Sequence, residues 1–231
     1  MSSKLKQPQP RSSIGVAPAL LMKSTHSFIL QASNLTFHYP GRALFSNWSA
    51  DIPSGITLVR GGDGTGKSSL LQLLAGVLPA QAGQLQMQGV RLDEQPDAYR
   101  RQIFWIDPRT DAFDQMTAIE YFASVRAAYP QFDEKLLPDL TEGLSLTSHL
   151  NKQLYMLSTG SKRKVWLAAV FAANAALSLL DDPFAGLDKA SIGFVEKMLN
   201  QVAGNTAQAW ILALYQTPIG VPLSSVIDLG D

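Results

Sequence analysis

The run Gly61-Gly62-Asp63-Gly64-Thr65-Gly66-Lys67-Ser68 fits the spacing G-x-x-x-x-G-K-[ST]. Glycines at this spacing let the backbone curl so that successive N–H groups point inward at phosphate oxygens. An apolar stretch, Ile56 to Val59, precedes the run and reads as a buried strand. A stretch from Lys67 to Leu78, ahead of Pro79, reads as a helix whose start adds the positive end of its dipole. Lys67 can then reach the β- and γ-phosphates of a nucleotide. The Ser68 hydroxyl can join a Mg²⁺ shell, with Ser69 next in line. The bland alternative is an ordinary Gly-rich turn, and the strand–loop–helix context argues against it.

A second constellation is Leu177-Ser178-Leu179-Leu180-Asp181-Asp182, an apolar strand ending in carboxylates. Asp181 at such an end can hold Mg²⁺ through water, and Asp182 can orient or activate an attacking water. Taken alone, the pair could equally cap a turn before Pro183. Between the two constellations lies Leu157-Ser158-Thr159-Gly160-Ser161, running into Lys162-Arg163-Lys164-Val165 and an apolar helix.

With those residues in place the chain resembles the ATP-binding subunit of an ABC transporter, whose signature is Leu-Ser-Gly-Gly-Gln followed by basic residues. Leu157, Ser158 and Gly160 match it; Thr159 and Ser161 depart. The segment Asp181 to Asp188 looks like Walker B running into the D-loop, with Asp182 where the family has Glu. Tyr39 looks like the aromatic that stacks on adenine. The resemblance spans about residues 28–229 and implies a P-loop NTPase fold. Expected are an α/β, RecA-like, mostly parallel core, a small N-terminal β region and a helical subdomain at about 108–165. It further implies ATP and Mg²⁺, and a second cassette, identical or related, paired head to tail. ATP would then lie between the loop of one chain and Ser158, Thr159, Gly160 and Ser161 of the other. A separate transmembrane subunit and a cytoplasmic place at the inner face of the membrane belong to the same expectation. Asp182-Pro183-Phe184 and Leu187-Asp188-Lys189 look most like bacterial exporter subunits, the haem-exporter type among them.

Three positions depart from the family in one direction. Its Q-loop glutamine should follow the strand Ile103 to Ile106, where Asp107 and Pro108 stand, and Gln115 lies too far along. Its switch histidine should close the strand Ala209 to Leu214, where Tyr215 stands. Binding elements survive better than hydrolysis elements. The expectation is an ATPase with weakened catalytic motifs, led by Lys67 and Asp182. The alternative is a degenerate regulatory or structural cassette that binds ATP without turning it over.

Period and punctuation give the elements that position these residues. Phe28 to Leu30 and Leu35 to Tyr39 read as short strands before a Pro40-Gly41 turn, and Gln84 to Gln88 as a half-exposed strand. Thr117 to Glu120 fits a capping box opening a helix towards Ala128, and residues 131–156 read as helical pieces. A helix is expected over Lys162 to Asn174 and a strand over Ala176 to Leu180. A helix capped by Asp188 should run from Lys189 to Val202, and the last strand from Ser225 to Leu229. Alternating strands and helices favour a parallel sheet covered on both faces.

Composition bounds the rest. With 231 residues, 46% of them hydrophobic, there is material for one sizeable core or two small lobes. Lys+Arg and Asp+Glu are 19 each, so no global positive field draws nucleic acid, and no such partner is expected. Cysteine is absent, and the histidines are His26, His38 and His149, which excludes a Cys nucleophile and argues against a His-rich metal site. Residues 1–27 read as a flexible N-terminal extension rather than an export signal, although Ile14 to Met22 follows basic residues; the cassette is placed at 28–231. Val165 to Leu180 is apolar but too short for the ~20 residues of a membrane span. Trp105, Trp166 and Trp210 read as core. One copy of each motif, and no room for a long coiled coil, set aside translation-factor and chromosome ATPases. A nucleotide kinase would lack the 157–165 signature.

Overall fold

The computed structural model describes residues 28–230. The 1–27 segment, expected as an extension, lies outside the described residues. β3 (Gly55–Arg60) is buried from Gly55 to Val59, as a strand covered on two sides must be. It belongs to a five-stranded parallel sheet of order β6–β7–β8–β3–β9, in which β6 is Ile103–Trp105, β7 Leu177–Asp181, β8 Ala209–Leu214 and β9 Ser225–Asp228. Alternation sorts the side chains: Ile56, Leu58, Leu180, Trp210 and Leu212 enter one core. Val59, Leu177, Leu179 and Ile211 enter the other.

The smaller sheet is antiparallel, of order β2–β1–β4–β5, with β1 Leu30–Tyr39, β2 Arg42–Ile52, β4 Ala82–Met87 and β5 Val90–Arg91. The two short strands expected before Tyr39 are one strand. It bulges at Asn34, whose backbone is left-handed (φ 53) and whose N–H donates to Ser49 Oγ at 2.8 Å. The long β2 was not anticipated, because its exposed and buried residues do not alternate cleanly. Nor is this region wholly N-terminal, since β4 and β5 follow the first helix.

That helix, α1 (Lys67–Leu74), is shorter than expected, and Pro79 is not what stops it. Gly76 turns left-handed (φ 67), its N–H donates to the Leu73 carbonyl and the Val77 N–H to the Gln72 carbonyl, which is a Schellman ending. A short helix that went unpredicted, α2 (Pro96–Arg100), completes the stop. Tyr99 Oη donates to the Leu74 carbonyl at 2.8 Å and Arg100 Nε to the Gly76 carbonyl at 3.0 Å.

The other face of the parallel sheet is covered by helices. α3 (Ala118–Ala128) opens on the expected capping box, with Glu120 N–H donating to Thr117 Oγ1 and Thr117 N–H to the Glu120 carboxylate. α4 (Leu137–Gly143) and two 3-10 turns, Thr147–His149 and Leu154–Met156, follow. α5 (Thr159–Ala173) starts at the signature itself, earlier than Lys162, and every residue from Val165 to Ala173 is buried. Trp166 meets Tyr121 edge-on at 4.6 Å and Phe171 stacks on Trp210 at 5.0 Å, while Trp105 is only half-buried. At about 22 Å, α5 falls short of a ~30 Å hydrocarbon layer. Among the described residues no helix is long and apolar enough to cross a membrane.

α6 (Lys189–Val202) begins at the expected cap: Asp188 Oδ1 accepts the Ser191 N–H at 2.9 Å, and Oδ2 takes the Ser191 hydroxyl and Lys164 Nζ. The Lys164 bond, then the Ser191 amide and hydroxyl, hold the Asp188 carboxyl well below the usual carboxylate range. Stabilisation from a depressed carboxyl is complete above its unfolded pKa and fades as pH falls through the folded one. Asp188→Ala should therefore lower the melting temperature by about 2–4 °C at neutral pH. The gap from wild type should shrink steadily below about pH 4, a trend that circular dichroism melts at pH 7, 4 and 3 would follow.

Candidate functional site

The loop between β3 and α1 is shaped by backbone that only glycine adopts cheaply. Gly64 and Gly66 are left-handed (φ 77 and 104), and a Cβ on Gly61 would stand 2.6 Å from Thr65 Oγ1. Thr65 Oγ1 donates to the Gly62 carbonyl at 3.0 Å, and Lys67 Nζ donates to the Gly61 and Gly62 carbonyls, both at 2.7 Å. Lys67 is thus held inside the loop's curl. Gly66 caps α1 without a side-chain hydrogen bond, so the helix's first amides keep their affinity for an anion. Asp63 and Gly64 are exposed at the crest; Ser68 and Ser69 sit half-buried in the first turn.

Sheet order brings the acids to this loop. β8 lies between β3 and β7, and Val59, Ala213 and Asp181 pair across one row. The loop after Val59, the pair Asp181-Asp182 and Tyr215 after Leu214 therefore emerge at the same edge, the carboxyl ends of parallel strands, where α/β proteins bind ligands. Ser68 and Asp181 offer hard oxygen donors, few in number, as suits a Mg²⁺ ion that keeps waters and substrate phosphates. No group of three or more metal-ligating side chains occurs among the described residues.

Asp182 is exposed, and its backbone is left-handed (φ 47) immediately before Pro183. Aspartate tolerates that region better than most residues do. Its N–H donates to the Ala213 carbonyl at 3.0 Å, and its own carbonyl accepts from Arg163 Nη1. Pro108 shares a narrow crevice with Asp181, Arg163 and Pro183. The Asp107 carboxylate accepts the Arg109 N–H at 2.9 Å, turning it onto its own loop. Tyr215 is 65% exposed and borders a crevice together with Gly61, the first residue of the loop.

Tyr39, at the end of β1, packs its ring edge-on to Phe37 at 4.9 Å and places its hydroxyl 3.2 Å from Ser69 Oγ. The signature lies apart: among the described residues no hydrogen bond joins Ser158, Thr159, Gly160 or Ser161 to the loop. Ser158 caps α5, accepting the Ser161 N–H at 3.1 Å and donating to Ser161 Oγ at 3.0 Å. A Cβ on Gly160 would collide with the Gly186 carbonyl oxygen, so the signature turn lies directly on the loop after β7.

The sequence profile described as "ABC transporter" matches residues 45–185. The chain belongs to the ABC transporter family. The cytochrome c biogenesis ATP-binding export protein CcmA of Pseudomonas savastanoi pv. phaseolicola is 30% identical over 186 residues, 80% of this chain and 86% of that protein. The protein of the same name from Vibrio parahaemolyticus is 26% identical over 207 residues, covering 88% of this chain and 100% of that one. Among solved structures, an ATP-binding subunit of an ABC transporter superposes with a TM-score of 0.74 at 24% identity, covering 81% of this chain and 79% of that one. A putative ABC transporter ATP-binding protein from Pyrococcus furiosus gives 0.71 at 21%, covering 87% and 96%. The cassette has their fold, and with its relatives it is an ATP-binding subunit of an ABC transporter; the alternative of a degenerate regulatory or structural cassette is not favoured.

Two cations of the cassette's site went unseen in the sequence. Arg42, paired with Tyr39 across the hairpin, donates from Nη2 to the Gly64 carbonyl at 2.6 Å. Arg163 was visible only as part of a basic cluster. That cluster is an internal bonding set: Lys162 meets Asp114 at 2.5 Å, Arg163 the Asp182 carbonyl, and Lys164 Asp188 at 2.5 Å. Lys67→Ala should weaken Mg-ATP binding by about tenfold or more. Titration calorimetry on wild type and variant would measure it; equal affinities would remove the phosphate-cradle role.

Proposed function

We propose that this cassette binds Mg-ATP, hydrolyses it slowly, and uses ATP-dependent pairing with a second cassette to drive a membrane-embedded partner. The observation that carries the reading is a contrast at one sheet edge. The phosphate loop is complete there, while the three positions around it that would sense or attack the γ-phosphate are Asp182, Tyr215 and Asp107-Pro108. The names of the curated relatives favour export over import. A cassette working on such a partner would sit at the cytoplasmic face of the membrane.

In this reading the adenine stacks on Tyr39 and the loop amides and Lys67 take the phosphates, with Ser68 and Asp181 holding Mg²⁺. Ser158 and Gly160 of one chain present a hydroxyl and a bare amide to the γ-phosphate bound on the other. Asp182 orders the attacking water from a side chain one methylene shorter than glutamate, a withdrawal of about 1.5 Å. Misplacement by about 1 Å already costs about 100-fold in a positioned reaction. Tyr215 can donate a hydrogen bond but brings no positive charge, and Pro108 has no side-chain polar group.

Pairing is tested first. Wild type should go from monomer to dimer on adding Mg-ATP, read by light scattering, alone or with a cassette encoded beside it. Ser158→Arg should stay monomeric with ATP affinity within about twofold of wild type. Absence of ATP-dependent pairing in every combination would deprive the transport reading of its mechanism.

Turnover is tested second, by steady-state phosphate release with Lys67→Ala as blank. Wild type should run well below about 1 s⁻¹. Asp182→Glu should raise the rate about tenfold, short of full recovery because glutamate fits the left-handed backbone less well. Tyr215→His added to it should raise the rate again. Fast wild-type turnover that Asp182→Glu leaves unchanged would mean these positions do not limit catalysis.

A further inference from the structure

The phosphate loop is braced on two sides, by the end of the strand it springs from and by the end of the neighbouring β9. Arg60 ends β3, Asp228 ends β9, and the two stand opposite each other in register. Arg60 Nε and Nη2 both donate to Asp228 Oδ2, at 2.9 and 2.6 Å. The other oxygen, Oδ1, accepts the Gly230 N–H at 3.0 Å. That bond turns the chain through left-handed Gly230 (φ 77) and aims its carbonyl back at the loop, where it accepts the Gly62 N–H at 2.9 Å. Leu229 N–H donates meanwhile to the Arg60 carbonyl at 2.9 Å. One continuous path runs from guanidinium to carboxylate, through the turn, to a loop amide.

The fit along this path is close. A Cβ on Gly61 would stand 2.9 Å from the Gly230 oxygen and 3.2 Å from Leu229 Cβ, so the loop's first residue rests against the 228–230 turn. The Gly61 and Gly62 carbonyls are the two that hold Lys67 Nζ. Any shift of this segment therefore moves the lysine that meets the phosphates. The side chains of Arg60 and Asp228 are 48% and 50% exposed, and an ion pair so open to water adds little to overall stability. They border a crevice of about 360 Å³ beside Gly61 and Tyr215, so truncating either leaves no hole in a core. The pair's effect falls on local geometry.

We propose that Arg60 and Asp228 are positioning residues of the nucleotide site, fixing Gly61 and Gly62 through the Gly230 turn and so setting affinity for the nucleotide's phosphates. The inference rests on the ATP-binding reading. Its two parts separate by design: Asp228→Ala removes both the ion pair and the turn's acceptor, whereas Arg60→Met removes the guanidinium and leaves the Asp228–Gly230 bond. Arg126→Met, which breaks the exposed Arg126–Glu134 pair far from the loop, is the control.

The test is titration of the full chain with Mg-ATP and with adenosine, alongside melting curves and hydrogen exchange at the Gly62 amide. Asp228→Ala should weaken Mg-ATP roughly fivefold or more, and Arg60→Met about two- to threefold. Adenosine affinity should hold, Gly62 should exchange faster in Asp228→Ala, and Arg126→Met should bind as wild type does. Wild-type Mg-ATP affinity in both Asp228→Ala and Arg60→Met would overturn the positioning role while leaving ATP binding intact. Failure of wild type itself to bind Mg-ATP would overturn the ATP reading and this inference with it. Should Asp228→Ala not fold, Arg60→Met and Asp228→Asn, which keeps the Oδ1 acceptor, carry the same comparison.

Discussion

Hydrogen bonding between β3, β8 and β7 sets Val59, Ala213 and Asp181 in one row, and the chemistry of the molecule hangs from that row. Because the strands are parallel, the chain leaves each of them at the same edge. The phosphate loop, the two aspartates and Tyr215 thus converge without direct bonds between them. The ladder is guarded by its side chains. A one-residue slip of β7 would send Leu177 and Leu179 to the face now occupied by Ser178 and Leu180, and would carry Asp181 out of the row. Register, held by apolar burial on both faces, is what makes the polar site reproducible.

The second organiser is the first turn of α5. Three consecutive cations at a helix N-terminus oppose the dipole and repel one another. Each finds an oxygen on another element: Asp114, the Asp182 carbonyl and Asp188. Gly160 lies against Gly186 in the same corner. The signature turn, the residue proposed to order water and the cap of α6 are fastened together within one chain.

Much of this was legible in the sequence wherever a local rule and the tertiary environment agreed. α6 with its Asp188 cap, β8, and the Thr117–Glu120 box fall where period and capping place them. The phosphate loop was legible because its spacing encodes a backbone shape directly. The errors have physical causes. α1 is stopped by Gly76 under Leu92, with Tyr99 and Arg100 on its last carbonyls, and those partners come from far along the chain. β2 was invisible because one face meets solvent and its pattern is broken by Asn47 in a left-handed conformation. Arg42, Arg60 and Arg163 carried no signal of their own. Each acts on a backbone carbonyl or on a distant carboxylate, and only the fold brings those within reach.

One side chain leads two lives. Ser158 donates its hydroxyl proton to Ser161 Oγ while it caps α5. In the proposed pairing that proton would turn outward to a phosphate, and Ser161 could reverse the bond by donating its own hydroxyl proton to Ser158 Oγ. A neutral hydrogen bond of this kind is worth about 1 kcal/mol, roughly a fivefold bias in an equilibrium. Exchanging donor and acceptor rather than losing this bond would let Ser158 go on capping α5 while, in the proposed pairing, it serves a partner's nucleotide.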